Sequence, residues 1–185
     1  RYKGWQVLKS TDATIQGKLQ MVLSALAGHP VEVIGSGRTD AGVHAIGQVA
    51  NFHLDEHFSA EEIFEDLNRH LPEDIAVTKI KEVDDRFHSR YQAVEKTYRY
   101  RIRTSPVPNV FERKFLYQYG QTLDVDKMKK AAQALVGTHD FASFCGNRHM
   151  KKSTVRTIFS IDLVERDGEI EILYCCLLYT SPSPR

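Results

Sequence analysis

The chain has few cysteines, no long apolar run and almost no net charge. Its 185 residues include three cysteines, Cys145, Cys175 and Cys176, and none of them form a C-x-x-C pair. This small, odd number argues against a disulfide framework and a zinc site, and it favours reduced thiols in the cytoplasm. No apolar stretch has the length of a membrane span, and no charged-then-apolar leader opens the chain, so neither a membrane protein nor secretion is supported.

The net charge of +1 does not indicate a nucleic-acid partner, so such a partner has to be argued from where the charges lie. If residues 95–104 form a strand, alternation places its arginines on one face and an aromatic-rich set on the other. The arginines are Arg99, Arg101 and Arg103, and the second set is Lys96, Tyr98, Tyr100 and Ile102. The arginine face can meet phosphates; a half-buried strand with solvated arginines is the alternative. A second basic cluster contains Arg148, Lys151 and Lys152.

One polar, glycine-containing segment lies between two apolar runs, 31–34 and 48–54, which the pattern predicts to be strands. It reads G-R-T-D-A-G-V-H and places Asp40 on a loop held by rigid elements. Gly37 and Gly42 give the loop backbone freedom, and we expect His44 to fix it by hydrogen bonds. Arg38 would keep Asp40 ionised, and an ionised aspartate can act as a nucleophile or as a base.

Local chemistry alone leaves other interpretations of this loop open. An aspartate before a glycine is common in hairpins, and an Arg-Asp pair is often only a surface ion pair. Two phosphate-binding loops are excluded. The Walker spacing lacks its Lys-Ser/Thr, and a dinucleotide fingerprint would need a third glycine where Asp40 stands. The run His53-Leu54-Asp55-Glu56-His57 lacks the H-E-x-x-H order, so we interpret it as solvated loop and predict no metal site.

The periodicity predicts three helices and several strands. Helices are expected over 14–27, over 60–70 with Ser59 as N-cap, and over 124–136. A further strand is expected over 75–83, and residues 158–165 and 169–176 should pair as a hairpin. With one strand expected before Arg1, the first half would be a βαββαβ unit, which the second half begins to repeat.

The loop motif belongs to a longer pattern. The string G-R-T-D-A-G-V-H-A-I-G-Q-V-A-N-F resembles the signature of the TruA family of tRNA pseudouridine synthases. Further blocks match that family in the same order up to about Cys175: Y-K-G-W-Q, L-P-E-D-I, F-H-S-R-Y, K-T-Y-R-Y and G-T-H-D-F-A-S-F. Six ordered blocks are much more specific than any one of them.

The resemblance implies a fold, a reaction and roles for particular residues. The fold would be α+β, the pseudouridine synthase fold, with two βαββαβ-like halves that form a mixed, largely antiparallel sheet with a central cleft. The reaction would convert a uridine of the tRNA anticodon stem-loop to pseudouridine without a cofactor, in a cytoplasmic homodimer. Asp40 would add to C1′ or remove the 2′ proton, Tyr98 would pack on the base, and Arg38 would pair with Asp40 and hold the flipped nucleotide.

We expect an N-terminal half, 1–84, that carries the loop, a second half, 85–176, that is incomplete, and a tail, 177–185. The Ser-Pro repeat of the tail is typical of disorder, and its sequence looks foreign to the pattern. The family's F-x-x-x-M-V-R block, whose arginine belongs to the active site, does not follow. A non-catalytic RNA-binding module and a dimerisation fragment are therefore the alternatives, although no stretch fits the aromatic RNP1 pattern.

Overall fold

A computed structural model describes residues 1–54, 57–145 and 153–177. The chain forms two compact units, Arg1–Gln92 and Ala93–Arg185. The first unit continues past the boundary at residue 84 that the sequence predicts, because Ser89 is hydrogen-bonded to both strands of that unit. In the part of the chain that the structure describes, helices and a mixed, mostly antiparallel sheet give the expected α+β class.

Two helices form the framework of the first unit. Helix α1, Ile15–Ala27, begins after Thr14, whose hydroxyl accepts a hydrogen bond from the Gly17 amide, and it ends at Gly28. Helix α2, Ala60–His70, begins at a capping box in which Ser59 and Glu62 each bond the other's backbone N–H. Both helices were predicted with nearly these bounds. Their apolar faces meet in a core that includes Trp5, Val22, Leu23, Val33, Ile63 and Leu67.

The strands of the first unit are shorter than the sequence predicts. Strand β1, Ile34–Gly35, pairs antiparallel with β2, Ala50–Asn51. The predicted strand at 31–34 is therefore largely wrong, although Val31 and Val33 are buried as expected.

Side chains of α1 replace strand pairing along residues 31–33. Gln16 and Gln20 donate to the Val33 and Val31 carbonyls, at 2.8 and 3.3 Å, and the Ser24 hydroxyl accepts from the Val31 amide. These three polar residues recur every four positions and therefore lie on one side of the helix. They satisfy backbone groups that a neighbouring strand would otherwise bond.

The predicted strand over 75–83 is also wrong, since the structure assigns no strand to these described residues. The side-chain amide of Asn68, on α2, donates to the Val77 carbonyl and accepts from the Val77 amide, both at 2.9 Å. A helix side chain thus takes both backbone bonds of Val77, which a partner strand would have taken. Ile75, Val77 and Ile80 still pack, partly buried, against the first core.

The second unit contains a five-stranded sheet in the order β4-β3-β7-β6-β5. Its strands are β3, Lys96–Arg103; β4, Tyr117–Gln118; β5, Gly137–Asp140; β6, Val155–Arg166; and β7, Glu169–Leu177. Strands β3 and β4 are parallel, and the other neighbours are antiparallel. The predicted strand over 95–104 is confirmed.

The predicted hairpin is confirmed as β6 and β7. Its turn consists of Asp167 and Gly168, both at positive φ (51° and 71°), as a type I′ hairpin turn requires. Helix α3, Val125–Gln133, is capped by Asp124 and ends a few residues before the predicted position. Its Ala132 packs with Ile161, Ile170 and Ile172 in a second core.

Candidate active site

Asp40 and Arg38 lie on the exposed loop that joins β1 to β2. Both side chains are exposed, and so are the residues from Ala41 to Gly47. The loop also presents Val43 and Ile46 to solvent, at 56% and 81% exposure. Loops positioned by a rigid scaffold commonly carry functional residues, and this loop presents both charged and apolar side chains to solvent.

The residue before Asp40 is fixed by the N-terminal segment. The Trp5 amide donates to the Thr39 carbonyl at 3.0 Å, while the Gly4 carbonyl accepts from the first residue of α1, Ile15, at 3.2 Å. Gly4 has φ of 102°, and a Cβ there would stand 2.5 Å from the Thr39 oxygen. Only glycine therefore allows this contact. The Y-K-G-W-Q block connects α1 to the loop that carries Asp40.

The ring of Trp5 supports the other side of the same loop. Its indole is 5% exposed, and its atoms lie 2.5 Å from where a Cβ of Gly35 would be. Gly35 is the last residue of β1, so the indole packs directly on the backbone from which the loop departs. Gly42 has φ of 81°, which fits its predicted place in the turn after Asp40.

Two further residues hold the base of the loop. Ser89 is 3% exposed; its amide donates to the Asn51 side chain at 3.0 Å and its hydroxyl to the Ile34 carbonyl at 2.7 Å. Gln48 bonds both Ser36 and the Gly37 carbonyl. The sequence alone does not reveal these contacts of Gly4, Gln48 and Ser89. Their only signal was membership of the motif blocks, which does not reveal what a residue touches.

The structure does not pair Arg38 with Asp40. Among the described residues, no salt bridge or hydrogen bond joins the two side chains. Both extend into solvent, where an ion pair contributes little and each group is well hydrated. The guanidinium and the carboxylate are therefore available to a bound molecule.

Tyr98 lies on β3, in the second unit. It stands opposite Tyr174 of β7, and Tyr100 stands opposite Ile172, so both tyrosines share the face predicted for them. Tyr100 contacts the ring of Tyr174 edge-on at 5.7 Å and is 60% exposed, whereas Tyr98 is 37% exposed. Burial raises the pKa of Tyr174, and the neighbouring Tyr100 adds a smaller rise.

The arginines of β3 lie on the opposite face and are paired with carboxylates. Arg101 donates to both Glu112 oxygens at 3.0 Å and to Glu169 at 2.7 Å. These bonds, first of all that with Glu112, raise the pKa of Arg101, and the bond with Arg101 lowers the pKa of Glu112. Arg103 is 3.5 Å from Glu169, and Arg99 is 3.6 Å from Glu171.

Neither sequence-based interpretation, a phosphate-binding face or a row of solvated arginines, included these glutamate partners. Acidic and basic side chains together line a groove of about 460 Å³. They include Arg99, Arg101, Arg166, Glu169 and Glu171. The three arginines differ in exposure. The side chain of Arg99 is 44% exposed, whereas those of Arg101 and Arg103 are 20% and 21% exposed.

Some predictions concern parts of the chain that cannot be compared with the fold. Arg148, Lys151 and Lys152 lie outside the described residues. Asp55 and Glu56, in the middle of the His53–His57 run, also lie outside them, as does the predicted tail apart from Leu177. Among the residues that are described, no group of three or more His, Cys, Asp or Glu side chains could hold a metal ion. In the same residues, helices long and apolar enough for a membrane span are absent.

Known proteins match this chain over both units. The family model for tRNA pseudouridine synthase matches residues 2–92 and 131–178, which includes the Asp40 loop but not Tyr98. A tRNA pseudouridine synthase A of Bacillus sp. (strain KSM-64) is 50% identical over 175 residues, 95% of this chain and 72% of the relative.

Relatives from other bacteria show similar identity. A tRNA pseudouridine synthase A 2 of Bacillus anthracis and a tRNA pseudouridine synthase A 1 of Clostridium tetani are each 46% identical over 172 residues, 93% of this chain and 70% of each relative. The motif blocks that hold the loop in place thus lie within sequence shared with these proteins, and the chain belongs to the tRNA pseudouridine synthase family.

Proposed function

We propose that this protein isomerises uridine to pseudouridine in tRNA, with Asp40 as the reacting carboxylate. The observation that carries the proposal is the loop itself. Asp40 is exposed, while the residue before it is fixed by the bond between the Thr39 carbonyl and the Trp5 amide. A reactive group has to be both accessible and held in place, because misplacement by about 1 Å can reduce a rate about 100-fold.

The reaction needs bond exchange but no oxidant or reductant. The bond between C1′ and N1 of the uridine breaks, and a bond between C1′ and C5 forms. The C5 proton leaves and N1 gains a proton, so the product is an isomer of the substrate. An ionised Asp40 can add to C1′ or remove the 2′ proton, and both roles fit an exposed carboxylate.

Tyr98 and Arg38 are proposed as partners of Asp40. The ring of Tyr98 would pack on the target base, and its hydroxyl would assist removal of the C5 proton. Arg38 would contact the nucleotide that has left the stack, since an enzyme that acts on a base must expose it. The exposure of Arg38, and its lack of an ion pair with Asp40 within the described residues, support a role toward RNA.

Among the β3 arginines, Arg99 is the best candidate for a phosphate contact. Its side chain is the most exposed of the three, and its separation from Glu171, 3.6 Å, is too long for a strong hydrogen-bonded pair. Arg101 is held by three bonds to two glutamates, so phosphate would have to displace them. We further propose the anticodon stem-loop as the tRNA region, a homodimer as the assembly and the cytoplasm as the location.

Release of tritium from tRNA labelled at uridine C5 tests this function. The assay is run on the chain, with the tRNA pseudouridine synthase A of Bacillus sp. (strain KSM-64) as a positive control. Turnover by the chain supports the proposal. Binding of tRNA without tritium release would contradict it and favour a non-catalytic RNA-binding protein, and absence of both would favour a dimerisation fragment.

A further inference from the structure

Gln48 uses both ends of its side-chain amide to close the loop that carries Asp40. Its Nε2 donates to the Gly37 carbonyl at 2.6 Å, and its Oε1 accepts from the Ser36 hydroxyl at 2.6 Å. The side chain is half-buried, so water competes less for these bonds than at the exposed tip of the loop. Glutamate at this position has the same shape but no donor for the carbonyl.

These bonds continue the β1–β2 pairing to the point where the exposed loop begins. Gly35 pairs with Ala50, and the Ser36 amide then donates to the Val49 carbonyl at 2.8 Å. Gln48 supplies the last contact of this ladder through its side chain. Beyond it, most residues from Arg38 to Gly47 are exposed.

The backbone next to Asp40 is therefore anchored at two alternate residues. The Gly37 carbonyl is held by Gln48, and the Thr39 carbonyl is held by the Trp5 amide. Arg38 lies between the two anchors, and Asp40 follows the second. If one anchor is lost, the chain can turn about the other, and both functional side chains change direction.

We propose that Gln48 is a positioning residue that sets the direction of Arg38 and Asp40 by holding the Gly37 carbonyl. The expected loss of kcat rests on the proposed role of Asp40. The expected loss of order in the loop does not, because it depends only on the bond between Gln48 and the Gly37 carbonyl.

The test compares Gln48→Ala and Gln48→Glu with a matched control, Gln20→Ala. Gln20 also donates from its amide to a backbone carbonyl of the first unit, that of Val31, but it lies on α1 away from the loop. We expect both Gln48 variants to reduce kcat about 10- to 100-fold with KM and tRNA affinity little changed, because only alignment is lost. Gln20→Ala should keep the kcat of the unsubstituted protein.

Hydrogen exchange supplies a readout that does not need activity. In the Gln48 variants, the amides of Ser36 and Val43, which donate to the Val49 and Asp40 carbonyls, should exchange about tenfold faster, while those of α1 stay protected, because loss of the Gln48 bonds opens only the loop. Unchanged exchange at both amides would overturn the proposal, as would full kcat or a change confined to KM. If the unsubstituted protein shows no turnover, the proposed function fails, and exchange alone then decides the role of Gln48.

Discussion

The Trp5 amide donates a 3.0 Å hydrogen bond to the carbonyl of Thr39, the residue immediately before Asp40. This bond connects the beginning of the chain to the candidate catalytic loop. It depends on Gly4, because a Cβ there would lie 2.5 Å from the Thr39 oxygen. The N-terminal segment therefore contributes to the site although none of its side chains is proposed to react.

Replacement of Gly4 by alanine should destabilise the first unit and disturb the loop. The new Cβ would lie 2.5 Å from the Thr39 oxygen at φ of 102°, so the backbone has to move. We expect a loss of about 2 to 4 kcal/mol in the free energy of unfolding, from backbone strain and overpacking together. Chemical denaturation followed by the fluorescence of Trp5, the chain's only tryptophan, measures it.

Gly47→Ala is the matched control for this experiment. Gly47 lies on the loop that carries Asp40 and does not adopt positive φ. A Cβ added there would have no atom of a non-neighbouring residue within 4 Å. Its replacement should change stability by no more than about 1 kcal/mol. Equal losses in the two variants would mean that the Gly4 contact with Thr39 has no special importance.

Helices were predictable from the sequence because their signals are local. Ser59 and Glu62 form the capping box over four residues, and the Asp167-Gly168 turn specifies its hairpin in the same way. The strands over 31–34 and 75–83 were overpredicted. Val31 and Val33 are buried as their alternation indicated, whereas Ile75 and Val77 are only partly buried and Val83 is exposed. In both segments a helix side chain, Gln16 or Asn68, provides backbone bonds, and a sequence pattern does not show which group bonds the backbone.

Acid should weaken the second unit through Glu112. Its bond with Arg101 holds the pKa of Glu112 below the ordinary value. A lowered pKa in the folded state means that the stabilisation is complete above the unfolded value, about 4.3, and is lost as pH falls through the folded value. Thermal melts between pH 7 and pH 3 should show a smaller acid-induced decrease in Tm for Glu112→Gln than for the unsubstituted protein.

The same decrease in both proteins would contradict this assignment. Glu73→Gln serves as the control, because Glu73 is an exposed carboxylate of the first unit, away from the Arg101 pair. Its variant should keep the full acid response. The comparison separates the Arg101 pair from the general effect of protonating carboxylates.

Tyr98→Phe should reduce kcat about 100-fold or more, because it removes the hydroxyl proposed to assist proton loss from C5. Tyr100→Phe should leave kcat close to that of the unsubstituted protein, since the substitution keeps the ring that packs edge-on with Tyr174, and no role in proton transfer is proposed for its hydroxyl. Single-turnover kinetics on tRNA measure both. Equal effects would show that the assignment between these two tyrosines is wrong.

Arg99→Ala should lower the salt dependence of tRNA binding, with a decrease of somewhat under one unit in the slope of log K against log salt. Arg101→Ala should mainly reduce stability, because it removes the three bonds that Arg101 donates to Glu112 and Glu169. Binding titrations from low to moderate salt, paired with thermal melts, distinguish the two effects. An unchanged slope for Arg99→Ala would remove Arg99 from the proposed RNA contacts.

The site was predictable at the level of motifs and less so at the level of contacts. The sequence located Asp40 on a loop between strands and placed Tyr98 and Tyr100 on one face of β3. It did not predict that Arg99, Arg101 and Arg103 form ion pairs with glutamates. Those glutamates come from β7 and from the segment before β4, and pairing between distant segments is set by the register of the sheet.

The most direct test of the account compares the unsubstituted protein with Asp40→Asn in the tritium-release assay, alongside tRNA binding. Asparagine keeps the size of the side chain but cannot act as nucleophile or base. We predict that turnover is abolished while tRNA affinity stays within about tenfold, or roughly 1.4 kcal/mol. Asp85→Asn, which changes another exposed aspartate of the first unit, should remain active. Retention of more than about one tenth of the rate by Asp40→Asn, a barrier change under roughly 1.4 kcal/mol, would contradict the central claim.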